Sequence, residues 1–508
     1  MVRGDGLSVR KTLVCPACGT DADFGPVHVH GEAKGFERYH CDACGADMLT
    51  EDLVLKRHFA KFSAAHTHSH IRGAGGGSLT SVVGGYPHVF LYFPTNGAGS
   101  PILTAPQTFD TSVIADLAKF DWMTLNISPF TNTESPLNIN VVSMIKAINT
   151  NAKIVWYGLF TPAFQNLIHT SQWGETWDLA LASPDKRLKF TNAPFNYYPN
   201  DDPLNCYMDW TASGVPEAYA DIWTKYGERG GDGYFFDLYI PNVSTGSSSE
   251  GGVDYAARGY GSAAALDSAS ATAHITAATR VGLTGKPTYC NRGSGSNFYG
   301  PEATGLACTG EFIELFFFGD TAPDQISHFG TFDNFMTFAQ AHSRDGGGGT
   351  NDGTMILWSD TGGYSQGQNE FHQNVRFTLG SACLIGARAG TGQPGRNAAD
   401  RTLRSDEWAV TSAGATDTTF SPANHGWLGR PTGSATKVGN VWVRNFANGI
   451  VIVNGTRSSQ SYTLPGTFRK INGAYDTGVN NGASVSGSIS IPGTGSFPGK
   501  DARFLLRT

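Results

Sequence analysis

The sequence predicts an α/β protein whose largest part is a (β/α)8 barrel of the TIM type. Between residues 81 and 432, short apolar runs of strand length alternate with longer stretches of helical periodicity. The runs are apolar at consecutive positions, which is typical of parallel strands that helices cover. The chain of 508 residues is long enough for such a barrel with a smaller domain at each end.

Strand and helix candidates follow one another through this region. The candidate strands are 88–93, 122–128, 153–160, 206–210, 233–239, 287–291, 312–317 and 354–359. The candidate helices are 138–150, 215–228, 255–281, 326–342 and 370–384. One strand candidate is surplus or lies outside the barrel. The weakest is 206–210, because this run could instead lead into a helix.

The pattern changes again after about Gly433. The runs 441–446 and 450–454 flank the turn sequence Ala-Asn-Gly, which together predict a β-hairpin. Further short strands are predicted at 461–464, 467–471, 485–491 and 503–506. We therefore expect residues 433–508 to form an antiparallel β-sandwich domain.

Residues 1–50 carry two Cys-x-x-Cys pairs, each followed by glycine. The four cysteines are Cys15, Cys18, Cys41 and Cys44. This spacing is typical of a tetrahedral zinc site and resembles a zinc ribbon, with disulfides or redox thiols as the alternative. Four thiolates leave no open coordination position, so the zinc would be structural, and no cofactor is expected for catalysis. Residues 51–80 follow as an amphipathic helix and a glycine-rich linker.

The composition excludes several classes of protein. The formal charge is −7 with only 16% charged residues and no long basic run, which argues against a nucleic-acid partner. No segment is apolar for long enough to span a membrane, and we expect no secretory signal. Aromatic residues make up 12% of the chain and glycine occurs 64 times. This composition favours a virion-associated or extracellular protein released without a signal peptide. A cytoplasmic location is the alternative.

Two strand candidates carry an acidic residue in the same pattern, Gly-x-Phe-x-acid. The acids are Asp237 and Glu314. Because side chains alternate along a strand, the glycine, the phenylalanine and the acid share one face, so both acids should reach the same mouth of the barrel. Glycosidic bond cleavage needs such a pair, with Asp237 as nucleophile or base and Glu314 as proton donor. Glu311 lies on the opposite face of its strand.

Other polar and aromatic residues near strand ends could bind a sugar. The candidates are Asn126, Tyr157, Asp209, Asn291, Arg292, Trp358 and Asp360. Flat rings for stacking on a pyranose are offered by Trp156, Trp173, Trp177, Trp210 and Trp358. Each residue alone is more commonly part of the core or of a loop. Their accumulation near strand ends is the observation that favours a sugar site.

Three segments resemble a known group of proteins. They are Asp232-Gly-Tyr-Phe-Phe-Asp237, Gly310-Glu-Phe-Ile-Glu314 and the hairpin 441–454. From about His88 to the C-terminus the chain resembles the hypothetical glycoside-hydrolase-like barrel families, especially the fifteenth of that series. The resemblance implies a retaining α-glycosidase-like barrel in which the acid after the fourth strand attacks and the acid after the sixth donates a proton. The sequence departs from the pattern at Gly455, where proline is usual, and at Thr309, where an acid is usual.

These observations favour a retaining glycoside hydrolase that cleaves a cell-surface or extracellular polysaccharide as a bacteriophage tail component. The N-terminal module would then contact other virion tail proteins. The alternative is a non-catalytic barrel that binds glycan or supports a phage tail or a similar assembly. A third hypothesis is that the barrel catalyses another reaction, such as that of a lyase or an esterase. A carboxyl separation of about 5–5.5 Å would indicate retention and one of about 6.5–9.5 Å inversion.

Overall fold

The structure is a computed structural model with two compact units, residues 1–75 and 76–508, which are described separately. It describes residues 13–14, 21–22, 26–27, 38–40, 47–49, 85–92, 103–104, 108–109, 111–126, 136–160, 162–164, 175–176, 178–179, 182, 187–188, 205–227, 230–237, 239, 243, 247–248, 251–294, 307–314, 316, 326, 329–341, 355–359, 368–391, 404–493 and 499–508.

The first unit contains short antiparallel strands. Leu13–Val14 pairs with Asp21–Ala22, and Arg38–His40 lies between Pro26–Val27 and Asp47–Leu49 in a three-stranded sheet. The four predicted zinc ligands and the helix and linker predicted for residues 51–80 lie outside the described residues. The zinc site therefore stays a prediction.

The second unit begins with eight parallel strands arranged in chain order around a barrel. The strands are β1 (Phe90–Leu91), β2 (Trp122–Asn126), β3 (Lys153–Leu159), β4 (Gly233–Asp237), β5 (Thr288–Ser294), β6 (Gly310–Glu314), β7 (Met355–Ser359) and β8 (Arg388–Thr391). A parallel bridge between Val89 and Ala389 joins the first strand to the last, and the amide of Ala389 donates to the His88 carbonyl at 3.0 Å. The predicted TIM-like parallel barrel is confirmed.

Helices connect these strands. They are α1 (Thr111–Leu117), α2 (Pro136–Ile148), α3 (Val215–Gly227), α4 (Ala263–Gly282), α5 (Phe332–Ala341) and α6 (Asn369–Ile385). All five predicted helices are present, whereas α1 was missed. The predicted start of α4 at residue 255 was wrong, because a short 3₁₀ turn there ends at Gly259 with φ 79°. The helix begins after Ser262, whose side chain accepts the Ala265 amide.

One predicted barrel strand was wrong and one barrel strand was missed. Asn205–Tyr207, within the candidate 206–210, pairs antiparallel with Pro162–Phe164 outside the barrel. The eighth barrel strand is β8, a four-residue Arg-Ala-Gly-Thr segment that has no apolar run to reveal it. Its Gly390 lies against β1, since a Cβ there would be 2.7 Å from the Phe90 carbonyl oxygen.

Alternate residues of the barrel strands face the barrel interior. The buried inner cluster consists of Phe90, Val155, Tyr157, Phe235, Tyr289, Phe312, Ile356 and Trp358. Residues of the other parity pack outward in separate clusters, for example Phe236 and Ile313. Because Phe235 and Phe312 face inward, the residues two positions later face inward as well, at the carboxyl ends of β4 and β6.

The C-terminal part is antiparallel, as predicted. Its strands are β9 (Thr436–Val438), β10 (Val441–Asn445), β11 (Gly449–Asn454), β12 (Gln460–Thr463), β13 (Phe468–Lys470), β14 (Ser484–Val485), β15 (Ser488–Ile491) and β16 (Asp501–Arg507). They form a six-stranded sheet in the order β9-β10-β11-β16-β13-β14 and a two-stranded sheet of β12 and β15. The predicted hairpin is present as β10 and β11. The six-stranded sheet packs on α6, where the Arg444 guanidinium donates to the Cys383 and Leu384 carbonyls.

Within the described part of the chain, no helix combines the length and apolarity that crossing a bilayer requires.

Candidate active site

Asp237 and Glu314 lie together at the carboxyl end of the barrel. They are the last residues of β4 and β6, and β5 runs between these two strands. Asn291 of β5 donates from its one amide nitrogen to Oδ1 of Asp237 and to Oε2 of Glu314, each at 2.8 Å. The side chain of Asn291 therefore bridges the two carboxyl groups.

The shared nitrogen limits the distance between the two carboxyl groups. The two accepting oxygens can be no more than twice 2.8 Å, about 5.6 Å, apart. Because the two N–H bonds of an amide group diverge by about 120°, oxygens that each accept one of them lie roughly 5 Å apart.

The register between β5 and β6 shifts directly after Asn291. Asn291 pairs with Phe312, but the next pairing joins Ser294 to Glu314, so β5 carries one extra residue between them. Bulges of this kind re-aim side chains and occur often beside functional sites. Here the extra residue lies in β5 between Asn291 and Ser294, directly after the residue that bridges the acids.

The second oxygen of Asp237 is held by two tyrosines. Oδ2 accepts the Tyr157 hydroxyl at 2.5 Å and the Tyr92 hydroxyl at 3.2 Å. Burial and then the charge of Asp237 raise the pKa of both phenols well above their usual range, so both remain protonated donors. Asp237 is only 8% exposed, and its described hydrogen bonds come from the hydroxyls of Tyr157 and Tyr92 and the amide of Asn291.

Glu314 holds its proton more strongly than an ordinary glutamate. Burial and then the negative charge of Asp237 raise its pKa from 4.5 to about 7, against the Asn291 hydrogen bond, which acts in the opposite direction. A carboxyl group with this pKa exists in both protonation states near neutral pH. It can therefore donate a proton in one step of a reaction and accept one in the next.

Aromatic rings form a floor beneath the two acids. The ring of Tyr92 lies 5.0 Å from that of Phe312, 5.6 Å from that of Phe235 and 6.0 Å from that of Trp358. Trp358 is 6% exposed, and its indole N–H has no hydrogen-bond partner among the described residues. These rings lie on the inner face of the barrel strands, and Phe235 and Phe312 come two residues before the acids on the same strands.

The remaining predicted sugar ligands are distributed differently. The structure brings Tyr157 and Asn291 to the acid pair and places Trp358 in the floor. Asp209 is instead held by its neighbours, since it accepts the Thr211 amide and hydroxyl and pairs with Arg258 at 3.0 Å. Asn126 is the last residue of β2, and its backbone pairs with Tyr157 of β3. The side chains of Asn126 and Arg292, and all of Asp360, lie outside the described residues.

The prediction that Trp156 and Trp210 stack on a sugar was wrong. Trp156 and Trp210 are each 1% exposed and belong to outer clusters packed between the barrel and its helices, so neither can present a face to a sugar. Trp173 and Trp177 lie outside the described residues. Glu311 is 4% exposed and lies on the same outward face of β6 as Ile313, two residues later, as the alternation of side chains predicts.

Tyr92 is the site residue that the sequence reasoning missed. It follows β1 directly, two residues after the inward-facing Phe90. The same alternation that selected Asp237 and Glu314 would have selected Tyr92, because it continues the inner face of the first strand beyond its last hydrogen bond. The candidate strand 88–93 included Tyr92, but it carries no Gly-x-Phe-x-acid pattern to mark this position.

A search of the described residues finds no group of three or more histidine, cysteine, aspartate or glutamate side chains that could hold a metal ion.

No protein-family model matches this chain, and no curated protein matches it in sequence. Among solved structures, it is similar to Amy13B of Eubacterium rectale, with TM-score 0.47 and 9% identity over 84% of this chain and 97% of that one. It is also similar to the α-glucosyl transfer enzyme XgtA, with TM-score 0.45 and 9% identity over 84% and 99%. The trehalose-6-phosphate hydrolase of Bacillus licheniformis gives TM-score 0.40 and 11% identity over 83% and 99%. Likeness at this level carries no argument about the activity of this chain.

Proposed function

We propose that this protein is a retaining glycoside hydrolase that cleaves a cell-surface or extracellular polysaccharide. Asp237 is the nucleophile, and Glu314 is the general acid and then the general base. The observation that carries the proposal is the bridging amide of Asn291, which holds one oxygen of each acid at 2.8 Å. This bridge implies roughly 5 Å between the two accepting oxygens, which supports a carboxyl separation near the range of about 5–5.5 Å for retaining enzymes.

In the first step, Asp237 attacks the anomeric carbon while Glu314 protonates the glycosidic oxygen. The bond from the anomeric carbon to that oxygen breaks, the leaving sugar departs with the proton of Glu314, and an ester forms between Asp237 and the bound sugar. In the second step, Glu314 takes a proton from water, whose oxygen attacks the anomeric carbon. The ester breaks, Asp237 leaves as a carboxylate, and Glu314 has regained its proton.

The different surroundings of the two acids support these roles. Asp237 accepts three hydrogen bonds from neutral donors, which suits a carboxylate that must be ionised to attack. The pKa of Glu314, raised to about 7 by burial, suits a group that must begin the cycle protonated. A carboxyl group with a raised pKa beside a second carboxyl group is the expected arrangement for one acid and one nucleophile.

The experiment that tests this proposal measures new reducing ends released from a panel of capsular and cell-wall polysaccharides. Wild-type protein should cleave at least one of them, and the Asp237→Asn variant serves as the blank. Tight binding of a polysaccharide without release of reducing ends would contradict the proposal. That result would favour the non-catalytic barrel that binds glycan or supports a phage tail.

Raising the pH should lower both activity and stability through Glu314. The first step needs the protonated group, so we expect kcat/KM to fall above about pH 7. The folded-state pKa lies above the unfolded value, so the stability contribution is present at low pH and is lost as pH rises through 7. The free energy of unfolding of Glu314→Gln, measured relative to that of wild type, should therefore rise by about 2 kcal/mol between pH 5 and pH 8. Urea denaturation at the two pH values measures this gain, and an equal stability difference at both would contradict it.

We also propose that residues 1–50 bind one structural zinc ion through Cys15, Cys18, Cys41 and Cys44. The two Cys-x-x-Cys pairs support this site. The module would attach the chain to virion tail proteins, and the barrel would act outside the host cell. Metal analysis of the purified protein should find one zinc per chain, lost in a Cys15→Ser, Cys41→Ser double variant. A zinc-free protein with cysteine disulfides would contradict the zinc site.

A further inference from the structure

The two oxygens of Asp237 have different surroundings. Oδ1 accepts the amide of Asn291, which also reaches Glu314, so this oxygen lies on the side of the second acid. Oδ2 accepts the hydroxyls of Tyr157 and Tyr92. A carboxylate oxygen has two lone pairs in the carboxylate plane, so two hydroxyl donors occupy the hydrogen-bonding capacity of Oδ2.

We propose that Asp237 attacks through Oδ1, and that Tyr157 is a positioning residue that holds Oδ2 and drives the release of Asp237 in the second step. The proposal rests on the retaining function proposed above. The scissile bond must lie between the two acids, because Glu314 has to reach the glycosidic oxygen. Oδ1 is the Asp237 oxygen that shares a donor with Glu314, and so it is the oxygen on that side.

The effect on the second step follows from how charge moves on Asp237. In the covalent intermediate Oδ2 is the carbonyl oxygen of a neutral ester, which accepts hydrogen bonds weakly. As the ester breaks, negative charge returns to the carboxyl group, and hydrogen bonds to a charged acceptor are the stronger kind. Tyr157 therefore stabilises the transition state of the second step relative to the intermediate. In the first step charge leaves the carboxyl group, so the same hydroxyl gives no acceleration.

The position of Tyr157 suits this role better than that of Tyr92. Its hydroxyl is closer to Oδ2, at 2.5 Å against 3.2 Å, and it belongs to β3 itself. Its ring stacks on Phe235 with centroids 5.8 Å apart, and that ring is kept when the hydroxyl alone is removed. Burial raises the pKa of the Tyr157 phenol well above its usual range, so the group remains a donor throughout the cycle.

The test is transient kinetics of Tyr157→Phe with glycosyl fluorides of the common hexoses in both anomeric forms. The leaving fluoride makes the first step fast, so the burst of fluoride reports that step and the steady state reports the second. We expect kcat to fall by about 10–100-fold, the burst rate constant to change less than about threefold, and most of the enzyme to carry a sugar on Asp237 by peptide mass spectrometry. The matched control is Tyr86→Phe, which loses a buried hydroxyl bonded to the Gly386 carbonyl and should behave as wild type.

Each outcome separates this inference from the proposed function. If the burst slows as much as the steady state and no sugar accumulates on Asp237, Tyr157 does not act on the second step. An unchanged kcat in Tyr157→Phe also overturns the inference. If wild type turns over no fluoride of the panel, or turns one over without a sugar on Asp237, the proposed function fails and the inference with it.

Discussion

Replacing Asp237 by asparagine is expected to lower the rate of polysaccharide cleavage by on the order of 10⁵-fold, the size of loss typical when the nucleophile of a covalent mechanism is removed. Asparagine keeps the size of the side chain but cannot form the ester with the anomeric carbon. The loss should appear in kcat, since the floor beneath the acids is unchanged. The measurement is reducing-end release from the polysaccharide that wild type cleaves best.

The matched control for this variant is Asp232→Asn, five residues earlier in the same segment. Asp232 accepts the Ile154 amide at 2.9 Å and pairs with Lys146 at 2.8 Å, at the amino end of β4 and away from the acid pair. We expect Asp232→Asn to lose stability but to keep its kcat per folded molecule. Equal activity losses in the two variants would mean that folding, and not chemistry, explains the effect of Asp237.

Glu314→Gln is expected to lower cleavage of the same polysaccharide by about 10²–10⁴-fold, because the glycosidic oxygen then leaves without a proton. The first step with a glycosyl fluoride should be much less affected, since fluoride needs less help to leave. Azide should restore turnover of the fluoride by replacing the water that Glu314 would activate. The product would then be a glycosyl azide of the same anomeric form as the substrate.

Glu311→Gln is the control for Glu314, three residues earlier on the same strand. Glu311 faces outward beside Ile313, so its neutralisation removes no group from the acid pair. Its activity per folded molecule should match wild type. The role of Glu314 as proton donor would be contradicted if Glu314→Gln slowed the first step with a glycosyl fluoride as much as it slows cleavage of the polysaccharide.

The sequence predicted the barrel because its strands are apolar runs with helices between them. It also predicted the acid pair, because the shared Gly-x-Phe-x-acid pattern fixes which face each side chain takes. The same rule excluded Glu311. The eighth strand, β8, could not be recognised, because it is four residues long and contains no apolar run. Its Gly390 is required for close contact with β1.

The finer features of the site depend on tertiary structure. The bridge made by Asn291 joins acids from two different strands, and the register shift that follows Asn291 in β5 has no counterpart in the sequence periodicity. Trp156 and Trp210 were expected at the mouth because they lie near strand ends. They face the helices instead, because their parity and apolar surroundings favour burial in the outer core.

The stereochemistry of the first product tests the central claim most directly. Proton NMR of the anomeric signals, recorded within the first minutes of hydrolysis, shows which anomer forms before mutarotation. A pair of acids bridged by one amide nitrogen predicts that the product first appears with the configuration of the substrate. Initial appearance of the opposite anomer would contradict the account, since it would require water to attack directly across a wider gap.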